Sequence, residues 1–214
     1  MIAGTTPQVM GQTARTFGGR GLVTGAIIGF CVLAGIVFWL AERQARQMDV
    51  GFRNFQDQPF ELIDQTGATR RNADFAGAPV ALFFGYTYCP DVCPMTLTLL
   101  AKSLDEVAQR GGDSTSLQTI FMTVDAERDT ADQLAAYLSL FDLPVTGLTG
   151  DAGQLARAHK AFGAYAKRVV DKDGVVLFDH TATVYLYDET GAFTGTITFN
   201  EPPEFTVEKL LRLL

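Results

Sequence analysis

Apolar residues fall into three kinds of run along this chain. The first is residues 21–40, GLVTGAIIGFCVLAGIVFWL, which carry no charge over 20 positions. At ~1.5 Å rise per residue such a helix is roughly 30 Å long, the hydrocarbon thickness of a bilayer. The second kind is short and continuous. VALFFGY (80–86) and LQTIFMTVD (117–125) read as strands buried on both faces. The third recurs at helical spacing: MTLTLLAKSLDEVAQRGG after residue 94, stopped by Gly111-Gly112, then ERDTADQLAAYLSLF with Thr130 or Asp129 as cap. Residues 151–163, DAGQLARAHKAFG, follow as a helix opened by Asp151 and closed by Gly163.

The remaining segments alternate more weakly. FELIDQTG and ATRRNADFAG predict a short hairpin and a loop closing at Gly77-Ala78-Pro79. Four late strands are expected: AYAKRVV, GVVLFDH after the turn Asp171-Lys172-Asp173-Gly174, TVYLYD, and AFTGTITF. PEFTVEKLLRLL is a C-terminal helix with Pro202-Pro203 at its start. The order is strand–helix–strand–helix, then antiparallel strands and a helix. That is an α/β chain with a mixed central sheet, on the thioredoxin-like plan. Four regions are expected: a short tail (1–20), a transmembrane helix (21–40), a polar tether (41–58) and a globular domain (59–214).

The apolar run is too long for a signal-peptide core of about 7–15 residues, and no small-x-small cleavage site follows Leu40. It is expected to be an uncleaved single-span anchor, with Trp39 at the membrane interface and Cys31 as a small mid-span residue. Charge says little about orientation. Arg15 and Arg20 precede the span, and Arg43, Arg46 and Arg53 follow it, mixed with Glu42 and Asp49. Beyond residue 40 the chain has 24 acidic and 15 basic side chains, a net −9. That argues against nucleic-acid binding and favours a solubilising role for the charge over a basic partner.

Chemistry concentrates at FFGYTYCPDVCPMTL. Cys89 and Cys93 are the only cysteines outside the span, spaced C-x-x-x-C and each followed by proline. At a helix N-terminus, free N–H groups and the helix dipole favour the thiolate, the form that binds metal and attacks disulfides. Cys89 and Cys93, four residues apart, share one face if Cys93 falls in the first turn. A plain stapling disulfide is disfavoured, because so small a loop restrains the unfolded chain little.

A third ligand separates metal binding from redox cycling. The chain has two histidines. His159, on a predicted helix among alanines, reads as a half-buried structural residue. His180, after Asp179 at a strand junction, can project over a sheet edge. Two thiolates and an imidazole make a soft three-donor set that suits Cu(I), and imidazole also suits Cu(II); zinc normally takes a fourth ligand.

CPDVCP (89–94), the strand before it, TVDAERDT (123–130) and the DH pair (179–180) together resemble the Sco/SenC family of copper-binding assembly factors for cytochrome c oxidase. The resemblance covers roughly residues 57–212. It implies a thioredoxin-like domain held outside the cytoplasm by a membrane anchor, with copper on Cys89, Cys93 and His180. It further implies delivery of copper to the copper A centre of oxidase subunit II, from an upstream donor the sequence does not name, or reduction of that centre's cysteines. The family's DPERDT appears here as DAERDT, so Ala126 puts one local turn in question. Asp125 and Asp129 are expected either to hold the loop near the site or to cap the next helix.

The alternative is a thiol-disulfide oxidoreductase with Cys89 and Cys93 as the redox pair. Against it, the spacing is one residue longer than C-x-x-C, and Ala182 stands where reductases of this plan carry proline. A peroxiredoxin-like peroxidase is a third reading, weakened because Thr87 sits at the wrong offset from Cys89. The short tail and small size favour a bacterial inner membrane with the domain in the periplasm, with the mitochondrial inner membrane as alternative.

Overall fold

The computed structural model describes residues 29–40 and 53–214. Residues 29–40 form a helix, α1, with its side chains exposed. The rest of the expected span (21–28), the tail (1–20) and most of the tether (41–52) lie outside the described residues. Among the described residues, no helix is long and apolar enough to cross a membrane.

In the globular unit, β1 (Glu61–Asp64) and β2 (Thr69–Arg71) form the expected hairpin. They are followed by β3 (Val80–Gly85), α2 (Val92–Gln109), β4 (Gln118–Thr123), α3 (Ala131–Leu138), β5 (Val145–Thr149) and α4 (Ala152–Ala161). Then come β6 (Ala166–Val170), β7 (Val176–His180), β8 (Val184–Tyr187), β9 (Phe193–Ile197) and α5 (Pro203–Leu213). Seven strands make one sheet in the order β2-β1-β5-β4-β3-β8-β9. Its centre, β3, β4 and β5, is parallel, and the flanking pairs are antiparallel, so the sheet is mixed as expected.

The apolar run of β3 has a direct cause: all six residues are buried because both faces are covered. Ala81 and Phe83 pack with the buried stripe of α2 (Cys93, Leu97, Leu100, Leu104, Val107) and with Val207 and Leu210 of α5. Val80, Leu82 and Phe84 face the opposite core with Leu155 and Phe162. The α2 stripe repeats at three- and four-residue spacing, the amphipathic signature of a helix lying on a sheet.

Phe55 extends the domain further back than its sequence pattern indicates. It is fully buried, with ring centroids 5.3 Å from Tyr187 and 5.5 Å from Phe162. The end of the expected tether (54–58) is thus packed into the domain: Asn54 donates to the Thr190 carbonyl at 3.0 Å, and Gln58 is buried.

The strands β6 and β7 stand apart. They pair only with each other, as a two-stranded ribbon with Ala166 opposite His180. The expected turn at its tip closes through Asp171, whose Oδ1 accepts from the amides of Asp173 and Val175, with Gly174 at φ 81°.

Candidate metal centre

The two cysteines reach the site from the C-terminal end of β3, the edge of a parallel sheet where ligands commonly bind. A turn closed by the Cys89 amide on the Tyr86 carbonyl (3.1 Å) sets Cys89 beside the start of α2. Cys93 is the second residue of α2, and its amide points at Cys89 Sγ (3.4 Å). Pro94 follows at an early helical position, where its missing N–H costs little. Both thiols are free; Cys93 is buried and Cys89 half-buried.

His180, the last residue of β7, brings Nε2 to 3.8 Å from Cys93 Sγ. The donor atoms of Cys89, Cys93 and His180 all lie within 4.8 Å of one another. A metal ~2.2 Å from each of three donors in a plane separates them by roughly 3.8 Å, so the donors already stand near ligating separation. His180 Nδ1 is 2.9 Å from the Thr181 carbonyl, which requires a proton on Nδ1. Nε2 therefore faces the sulfurs: with a proton it donates to Cys89, and without one it offers the lone pair that a metal ligand needs. The Tyr86 ring stands edge-on to the imidazole at 5.6 Å, and its hydroxyl accepts from the Phe178 amide at 3.3 Å.

The two thiols are electrostatically unequal. The Cys93 thiol donates to Cys89, and this outweighs burial; hydrogen bonds from the His180 imidazole and the Cys93 and Asp91 amides add to it, bringing Cys89 down to about 4. The same bond, with burial, pushes the Cys93 thiol up. The metal-free reduced pair is therefore one half-exposed thiolate resting on one buried thiol.

The other expected residues separate cleanly. His159 is not part of the cluster: on α4, it hydrogen-bonds the Thr123 carbonyl through Nε2 (2.9 Å), packs edge-on to Phe84, and is lowered by burial. Thr130, not Asp129, caps α3, accepting from the Gln133 amide. The buried Asp129 instead accepts from the Thr87 amide (3.0 Å) and hydroxyl (2.7 Å) and the Thr123 hydroxyl (2.5 Å), fixing the loop two residues before Cys89. The turn at Ala126 closes without proline, with the Asp129 amide on the Asp125 carbonyl. Ala182 lies two residues before β8, whose Val184 pairs with Phe83 of β3.

Sequence reasoning missed Tyr86, Thr181 and Gly85. A Cβ at Gly85 would lie 2.9 Å from Cys93 Sγ and 2.7 Å from Phe121 Cε2, so only glycine lets the strand pass behind the buried sulfur. A glycine closing a buried strand is itself a sign of close approach.

Known proteins resemble this chain in sequence and fold. The sequence model of the SCO1/SenC family matches residues 49–214. Protein SenC of Rhodobacter capsulatus is 38% identical over 152 residues, covering 71% of this chain and 67% of that protein. The mitochondrial SCO1 homolog of Homo sapiens is 33% identical over 178 residues, 78% of this chain and 56% of that protein. The structure of Bradyrhizobium japonicum ScoI with copper bound superposes with a TM-score of 0.65 at 39% identity, covering 73% of this chain and 98% of that one. This chain belongs to the SCO1/SenC family.

Proposed function

We propose that the protein is a membrane-anchored copper chaperone that holds copper as cargo on Cys89, Cys93 and His180 and supports assembly of the copper A centre of cytochrome c oxidase subunit II. The observation that carries the reading is the convergence of two sulfurs at the start of α2 and one imidazole nitrogen at the end of β7 within 4.8 Å. Two thiolates and a neutral imidazole are a soft donor set that favours copper over hard cations. The copper-bound ScoI relative supports the same choice of metal. The anchor rests on the 20 uncharged residues of 21–40, of which 29–40 are helical. The SenC relative fits a bacterial inner membrane with the domain in the periplasm; the SCO1 relative keeps the mitochondrial inner membrane as alternative.

Anaerobic titration of the reduced full-length protein with Cu(I) tests this reading. One ion per chain is expected. Removing only a ligand's hydrogen-bond partner costs roughly 10–100-fold in affinity, so His180→Ala should cost at least as much. A His180→Ala chain that binds as tightly as wild type would sink the three-donor reading.

The thiol asymmetry supports a second activity, reduction of a target disulfide. Cys89 thiolate would attack one target sulfur and form a mixed disulfide while expelling the other as thiolate. Cys93, losing its proton, would then attack Cys89 and release the first target thiol. The target gains two electrons; one of its thiolates takes the proton that Cys93 gives up, the other takes a proton from water, and Cys89–Cys93 is left as a disulfide. Turnover of an insulin disulfide at rates near those of a dedicated reductase would rank this above copper carriage.

A further inference from the structure

His180 sits at the end of a ribbon that shares no strand pairing with the seven-stranded sheet. Three residues join His180 to β8, so the chain keeps the ribbon near the sheet and side-chain contacts set its exact position against Cys89 and Cys93. Ligand sets tolerate only about 0.5 Å of looseness, so the contacts that hold the ribbon bear directly on the site.

Arg128, in the loop between β4 and α3, makes one such contact, beside the Tyr86 hydroxyl that accepts from the Phe178 amide. Its Nη1 donates to the Val176 carbonyl of β7 at 3.1 Å. Its guanidinium carbon lies 4.9 Å from the ring centre of Tyr88, the residue before Cys89, and 6.0 Å from that of Phe178, two residues before His180. It is 5.9 Å from Tyr86, whose ring meets the imidazole. On its other side Nε pairs with the buried Asp125, which anchors the guanidinium to its own loop. The next residue, Asp129, grips Thr87 on the cysteine side. One short loop thus holds both halves of the candidate centre.

We propose that Arg128 is a positioning residue for the metal centre, clamping the His180 ribbon against the Tyr86–Cys89 loop so that Nε2 faces the two sulfurs. The inference deepens the three-donor reading and rests on it. The site needs a guanidinium here. Its planar fork serves a carboxylate and a carbonyl at once and still lays its face on aromatic rings, which a lysine ammonium cannot do. Arg128 touches none of the three donors, so it acts on copper only through His180.

The test has a metal-free arm and a metal arm, both on the full-length protein. Arg128→Gln removes the clamp. Because it strands the buried Asp125 charge, Asp125→Asn/Arg128→Gln is made alongside, leaving no unpaired ion. In the reduced metal-free protein, hydrogen exchange at the β7 amides should speed up about tenfold or more in both variants, with β3 and β4 unchanged. In the metal arm, Cu(I) affinity should fall roughly 10–100-fold, as for other partners that orient a ligand. In a His180→Ala background the same change should cost nothing further, because the residue acts through that imidazole. Unchanged exchange in β7, or an equal affinity loss with and without His180, would overturn the proposal. If wild type and His180→Ala bind copper equally, the three-donor reading falls, and the exchange arm alone decides whether Arg128 holds the ribbon.

Discussion

Gly85→Ala puts the smallest possible perturbation directly behind the site. The backbone there is not in the left-handed region, so alanine adds no torsional strain. Its Cβ, however, would stand 2.9 Å from Cys93 Sγ and 2.7 and 2.9 Å from the Phe121 ring. Neither neighbour yields easily. Phe121 is fully buried against Phe83, and Cys93 is buried at the first turn of α2. Reaching ordinary contact requires a shift of about half an ångström, at the limit a ligand set tolerates. Overpacking of this kind costs about 1–3 kcal/mol, offset by ~0.4–1 kcal/mol from a less flexible unfolded chain. The net loss is about 1–2 kcal/mol, which for a domain of this size lowers Tm by roughly 2–8 °C. Thermal unfolding of the reduced metal-free protein measures that term, and a Cu(I) competition titration measures the displaced sulfur. The variant should be both less stable and a weaker copper binder. Wild-type Tm together with wild-type affinity would refute the packing argument and the placement of Cys93.

Two further predictions follow from titrating groups. Cys89, held at about 4 while Cys93 is pushed up, should react first with iodoacetamide in the reduced protein, at a rate nearly flat from pH 8 to 5 and falling through about 4; mass mapping separates it from Cys31, and a rate that already drops below pH 8 would contradict the thiolate assignment. Burial pushes Asp64 up, but hydrogen bonds from Thr66, Arg70 and the Ala68 amide outweigh it and bring it to about 2. Its folded value lies below its unfolded one, so the stabilisation is present above pH 4 and lost as pH falls toward 2; it amounts to about 2 kcal/mol, and Asp64→Asn should flatten that part of the urea-measured stability curve.

The segments most legible in the sequence were those whose environment is uniform. β3 and β4 read correctly because both faces are buried, and α2 because one face is. The site was legible for a different reason: Cys89, Cys93 and His180 are chemically rare in this chain, so few other donors compete for the role. What escaped was long-range. Phe55 looks like a stray aromatic in a polar tether, and its burial depends on Phe162 and Tyr187, more than a hundred residues away. The detachment of β6–β7 from the main sheet was equally hidden, since short half-exposed strands carry no pattern that names their partner. Arg128 lies within the TVDAERDT motif, but nothing in the sequence shows that its side chain reaches a strand 48 residues later. For Asp129 the sequence allows capping or loop-holding equally; Thr130 takes the cap and Asp129 holds the loop.

The central claim is that one copper ion sits on two sulfurs and one imidazole nitrogen. X-ray absorption at the copper edge of the Cu(I)-loaded full-length protein tests it most directly. The account predicts two sulfur scatterers and one nitrogen scatterer with imidazole outer-shell features, and loss of those features in His180→Ala. A first shell of sulfur alone, or a spectrum unchanged by His180→Ala, would contradict it.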